Sequence, residues 1–285
     1  MAELPLNIKK SIAKYEPIEV DGLTLHPIKV ENYYEFLAAR PSLDFMQQRL
    51  PVQLMSEPIL SAFFKLDSGF IEGVEPTGLF MGAILALALA LRLRPEGSVE
   101  EQIKMFQIIV DPKDNSRLKH LRFMKDGEEL TTITPITFQR IRPIIAAQNG
   151  LELPDDMANP ELVDAENDLA EQRAPKLDMS IEAFVNAASM VARVDEKEVY
   201  DWPILKLHKR LNTAKRILDY IVCGIGETQG TKWKGGNPHP SPWFDRQKIG
   251  NDALMPIESF ANGQGVGAVR DALAERNMNS KNDSH

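Results

Sequence analysis

The sequence predicts a mainly α protein with a small antiparallel β element, an α+β chain. A helical N-terminal domain with β-hairpins would be followed by a second helical unit and an extended C-terminal segment. Three observations carry the prediction. Apolar residues recur at helical spacing in several separate stretches. Asp21-Gly22 and Asp126-Gly127 each lie between short apolar-alternating runs, as tight hairpin turns do. From Gly224 onward glycine and proline dominate, which disfavours regular structure.

With 285 residues, 43% of them hydrophobic, the chain is long enough to fill a sizeable core. Its formal charge of -8 and pI near 5.3 argue against a constitutive nucleic-acid binder, because phosphate binding needs a basic surface that releases counterions. Cys223 is the single cysteine, which excludes an intramolecular disulfide and any multi-cysteine metal site. Met1 to Lys14 shows no apolar export signal. A cytoplasmic protein is expected.

Taken in order, Pro17 to Val20 and Leu23 to Ile28 form the first predicted hairpin. Tyr33, Tyr34, Phe36 and Leu37 mark a helix that Pro41 should stop. Ser42 and Ser56 are placed as N-caps, the second followed by Pro58 and by Ile59, Leu60, Phe63 and Phe64. Pro76 and Thr77 open the most apolar stretch, Leu79 to Leu91, broken only by Gly82. As a helix it would span roughly 20 Å at about 1.5 Å per residue, short of the membrane core. It is expected as a buried central helix.

After Pro95 to Ser98 the pattern turns extended. Met105 to Val110, Leu118 to Phe123 and Glu129 to Ile133 predict a sheet of about three strands. Thr134 then caps a helix with Pro135 at its first position, running through Phe138, Ile141, Ile144 and Ile145 to Asn149-Gly150, with a kink or early stop at Pro143. Residues 151 to 180 carry nine acids against two bases, with Pro154, Pro160 and Pro175 among them, and read as an acidic linker holding a short solvated helix near Pro160 to Gln172.

Ser180 should cap a helix with the stripe Ile181, Phe184, Val185, Ala188 and Ala192, and a further helix follows Asp195. Leu207, Leu211, Ala214, Leu218 and Ile221 repeat at alternating four and three, giving one apolar seam, while Lys206, Lys209, Arg210, Lys215 and Arg216 take the other faces. The expected organisation is an N-terminal helical domain at 1–150, a linker at 151–179, a helical unit at 180–230, and a Gly/Pro-rich segment with a tail at 231–285.

No catalytic, cofactor-binding or metal-binding residues are assigned. Gly226 to Lys232 resembles a phosphate-binding loop only superficially, since its last residues are inverted and it follows a helix. The five histidines show no ligand spacing, and Cys223 closes an apolar run where a buried thiol is expected. Asp111, Asp114 and Asn115, like Asp155-Asp156, sit in turn or linker context. The tryptophans stand out instead. Trp202 precedes Pro203 near a helix start, and Trp233, Trp243 and Phe244 lie in Gly/Pro-rich chain, where aromatic anchors either fold back or dock into a partner. These four are the candidate partner-binding residues.

Leu25-His26-Pro27-Ile28 through Tyr33 to Leu37, Glu198 to Pro203, and Pro240 to Asp245 give the chain its family likeness. Over about a third of its length it resembles the tail assembly chaperones of tailed phages and prophages. The resemblance implies a non-enzymatic protein that binds the tape measure protein, or another tail protein, during tail assembly, with possible self-association and no cofactor or membrane partner. The resemblance also implies, as an alternative, another phage tail or connector structural protein; the residues themselves offer a regulatory nucleic-acid binder using the basic 204–221 helix.

Overall fold

The computed structural model describes residues 4–71, 73–93, 105–151, 153, 159–173, 180–233, 237–238 and 241. It is mainly helical with two small antiparallel sheets, as the sequence predicts. The chain divides into two compact units, 1–212 and 213–285.

Unit 1 opens with α1 (Leu6–Lys14) and the hairpin β1 (Ile18–Val20) and β2 (Leu23–Leu25), paired Ile18↔Leu25 and Val20↔Leu23. Asp21 and Gly22 both have positive φ, 51° and 76°. That is the twist of a two-residue hairpin turn, which aspartate tolerates and glycine adopts freely. A second turn of the same kind joins β4 (Asp114–Lys125) to β5 (Glu128–Ile133), and β3 (Phe106–Asp111) completes a meander ordered β3-β4-β5.

α2 (Tyr33–Leu43) corrects the reading of Pro41 as a stop and of Ser42 as an N-cap. Proline removes one helical hydrogen bond, yet the helix runs on because the residues beyond it are buried. Leu43 is fully enclosed, and Ser42 satisfies its hydroxyl on the Ala39 carbonyl at 2.7 Å. Ser42 also lies where α2 meets α4 (Leu79–Ala90): a Cβ at Gly82 would stand 3.4 Å from the Ser42 Cβ. α5 (Pro135–Gln148) likewise continues through Pro143, with Ile141, Ile144 and Ile145 buried on both sides of it. Burying two or three such side chains at ~1.5–3 kcal/mol each outweighs the ~3 kcal/mol cost of an internal proline.

α3 (Ile59–Asp67) starts without a side-chain cap, so Ser56 is not its N-cap. The last residue of α3 does the capping for the next helix. Asp67 accepts from the Thr77 and Gly78 amides at 2.7 and 3.0 Å through one oxygen and from the Phe80 amide at 2.7 Å through the other. Those are orphan donors at the start of α4, where a carboxylate also meets the positive end of the helix dipole. α4 is the central apolar helix foreseen at 79–91, with both its Leu79 and Ala90 ends buried. Among the described residues no helix is long and apolar enough to cross a membrane.

α6 (Pro160–Arg173) lies inside the acidic stretch. α7 (Ile181–Ala192) begins at Ser180, whose hydroxyl accepts from the Ala183 amide, and α8 (Glu196–Tyr200) begins at Asp195, which accepts from the Lys197 amide. The expected boundary between 150 and 180 differs from the observed one. Ile181, Val185, Ala188, Val199, Trp202, Ile204 and Leu207 enter the same core as Leu25, Phe36, Leu87, Phe123 and Phe138.

The joint between them is the segment 25–30. Ile28 donates to Asn149 Oδ1 at 2.9 Å, His26 to the Ala90 carbonyl at 2.8 Å, and Val30 to the Trp202 carbonyl at 2.8 Å. Gln148 donates to the Leu25 carbonyl, and Ile204 to that of Ile28. A buried, irregular segment must find partners for its polar groups, and it takes them from three other parts of the chain: the ends of α4 and α5 and the Trp202–Ile204 stretch. α9 (Ile204–Thr228) then leaves unit 1 and supplies the described helix of unit 2.

Candidate protein-binding surfaces

The seam of α9 has two different fates. Leu207 is fully buried and Leu211 packs against the main core. Ala214 is half-buried, and beyond it Leu218 is 61%, Ile221 48%, Val222 63% and Ile225 52% exposed. At 100° per residue these four fall on one face, continuing the line of Leu207. Four half-exposed branched side chains on consecutive turns form an apolar stripe on the surface of the helix.

The other side of the same helix is buried at one position. Cys223 is buried, in keeping with the inert thiol expected from the sequence. The helix ends in a hydrogen-bonded reversal: Gly230 has φ 88°, its amide donates to Glu227, and the Thr231 amide donates to Gly226 at 2.9 Å. Trp233 folds back onto this turn, its Cζ2 3.4 Å from where a Cβ of Gly226 would stand. Gly226 to Lys232 thus closes a helix, whereas a phosphate loop must open one.

Of the four candidate contact residues, the structure places two. Trp202 is 5% exposed in the core of unit 1, with the Lys206 ammonium 4.1 Å from its ring centre, so it anchors the fold and offers no outward face. Burial lowers the Lys206 pKa, and Arg210 adds to the effect. Trp233 is half-buried against its own helix. Trp243 and Phe244 lie outside the described residues. The apolar stripe Leu218, Ile221, Val222 and Ile225 was visible in part as the continuing seam, but its exposure was not.

Unit 1 carries a groove of about 660 Å3. Ser61 and Lys65 of α3 form one wall, Asp114, Arg117, Leu118 and Lys119 of β4 another, and Thr134 to Ile136 at the start of α5 a third. Its acids are engaged locally. Glu57 pairs with Lys65, Asp111 accepts from the Lys113 amide at 2.9 Å, and Asp114 accepts from the Ser116 amide and hydroxyl at 2.9 and 2.6 Å. The Ser116 hydrogen bonds hold the Asp114 carboxyl below its ordinary range.

His208 and His26 serve the fold. His208 stands edge-on to Tyr33 at 6.3 Å, and burial, then Arg40, pushes its pKa down. His26 is shifted the same way by burial and Arg92. Among the described residues no three His, Cys, Asp or Glu side chains cluster as a metal site would require. No family model, no curated protein and no solved structure matches the chain.

Proposed function

We propose that this protein is a non-enzymatic assembly chaperone of the tailed-phage type, holding a long helical tape measure protein against the exposed stripe of α9. The observation that carries the reading is the stripe itself. Leu218, Ile221 and Ile225 continue, at coiled-coil spacing, a seam that Leu207 and Leu211 bury within unit 1. A helix that leaves an a/d-type stripe exposed is suited to receive another amphipathic helix, which docks its own apolar residues at the same spacing. Lys215 and Asp219 beside the stripe carry opposite charges, so contact there rests on apolar burial more than on charge. The resemblance in the 25–37, 198–203 and 240–245 segments supplies the class of partner.

Co-expression with a tape measure fragment tests the reading. The fragment is expected to stay soluble and to co-elute with the full chain, and to be lost when Leu218→Ser and Ile225→Ser are combined. Separate elution of the two proteins, with no change in the solubility of the fragment, would contradict it.

A further inference from the structure

The groove of unit 1 has a use that the α9 stripe does not supply. We infer that it takes an acidic peptide segment of a partner protein in extended form, seated beside β4 with its carboxylates on Arg117 and Lys119.

The backbone provides the first argument. β5 leaves the ladder at Ile133, which pairs with Leu121, and Thr134-Pro135 turn the chain into α5. Proline has no N–H and cannot continue the ladder. On the β5 side, among the described residues, Leu118, Lys119 and His120 therefore have no strand beside them, while on the other side β3 pairs with Leu118 and His120. Three residues at ~3.3 Å each present about 10 Å of edge, enough for the backbone of a short extended peptide.

Charge and unspent donors provide the second. Arg117 and Lys119 flank the buried Leu118, both exposed, and neither has an ion pair among the described residues. The acids of the groove are already held by Lys65 and by their own turns. Ser61 is 9% exposed and lines the groove, yet its hydroxyl has no hydrogen-bond partner among the described residues. At the start of α5 the Thr137 amide is taken by Thr134 Oγ1, which leaves the Ile136 amide, at the positive end of the helix, for an incoming acceptor. The Ser61 hydroxyl still reaches solvent, so it can donate to an acceptor entering the groove. The volume of 660 Å3 far exceeds what a lone carboxylate or phosphate fills.

The test is titration of the full chain with a capped peptide of alternating glutamate and valine, read by amide NMR shifts and by anisotropy of the labelled peptide. Saturable binding is expected, with shifts centred on Ser61, Leu118–His120 and Ile136. The glutamine counterpart, a backbone N-methylated version, and the Arg117→Ser, Lys119→Ser double variant should each weaken binding at least about tenfold, the loss expected from one or two charge-assisted hydrogen bonds. Both substituted side chains are exposed, so a thermal melt of the double variant should match wild type. The Leu218→Ser, Ile225→Ser protein should bind the peptide normally, which separates this inference from the α9 reading. Absence of binding would overturn it. So would equal affinity for the glutamine peptide, unchanged affinity of the double variant, or the same shifts produced by inorganic phosphate alone.

Discussion

Leu207 and Leu218 occupy one seam of one helix, yet the first is sealed in the core and the second is 61% exposed. The difference does not lie in the residues, which are the same type on the same face of the helix, about three turns apart. It lies in what the rest of the chain brings to each turn. Leu207 belongs to one buried core with Ile181, Val185, Val199, Trp202 and Ile204 and with residues of α2, α4 and α5. Around Leu218 the structure describes no such neighbours, and the buried side of the helix there is the one carrying Cys223. A periodic apolar pattern states that a surface wants to be covered; it does not state by what.

The largest expected effect sharpens this contrast directly. Leu207→Ala should lower unfolding free energy by ~2–5 kcal/mol in urea denaturation, as loss of a buried leucine does, whereas Leu218→Ala should stay within ~0.5 kcal/mol. Equal losses at the two positions would erase the distinction. Next comes Asn149→Ala. It removes the acceptor for the Ile28 amide and the donor to the Ile145 carbonyl within a buried site, and should cost about 1–3 kcal/mol by the same measurement.

These two predictions bear on how much the sequence revealed. Caps acting within a few residues were legible, because Thr134, Ser180 and Asp195 each reach an amide two or three positions on. The hairpin turns were legible for the same local reason. Pro41 and Pro143 misled, since the proline penalty is local while the burial that outweighs it comes from other helices. Asn149 was read as a helix end, which it is, but its hold on Ile28 spans the chain and leaves no sequence trace. The groove was missed altogether, because Ser61, Arg117 and Ile136 meet only after α3, β4 and α5 have packed.

Asp67 belongs to that same group and gives a smaller effect. Asp67→Ala strips the start of α4 of its carboxylate cap and should cost about 1–2 kcal/mol, with the loss seen as a lower melting temperature. Asp67→Asn should recover part of it, since the amide oxygen still accepts.

The smallest effect concerns pH. Burial holds the His208 pKa below 6.5 in the folded chain, so the unfolded chain binds a proton more readily. Stability should therefore be fully present above about 6.5 and decline as pH falls below it, the unfolded state taking up the extra proton. His26 contributes with the same sign. His208→Gln should flatten the decline between pH 7 and about 5, measured as urea midpoints across that range. An unchanged slope would mean that His208 ionises in the folded chain as it does in the unfolded one.

The claim at the centre is that residues 213–228 present a contact surface and not a displaced piece of core. Capture of a tape measure fragment by the Leu218→Ser, Ile225→Ser protein, run beside its urea unfolding curve, tests it most directly. The predicted result is lost capture with unfolding free energy within about 0.5 kcal/mol per substitution of wild type. Intact capture together with a loss of several kcal/mol would contradict it, and would make the stripe structural.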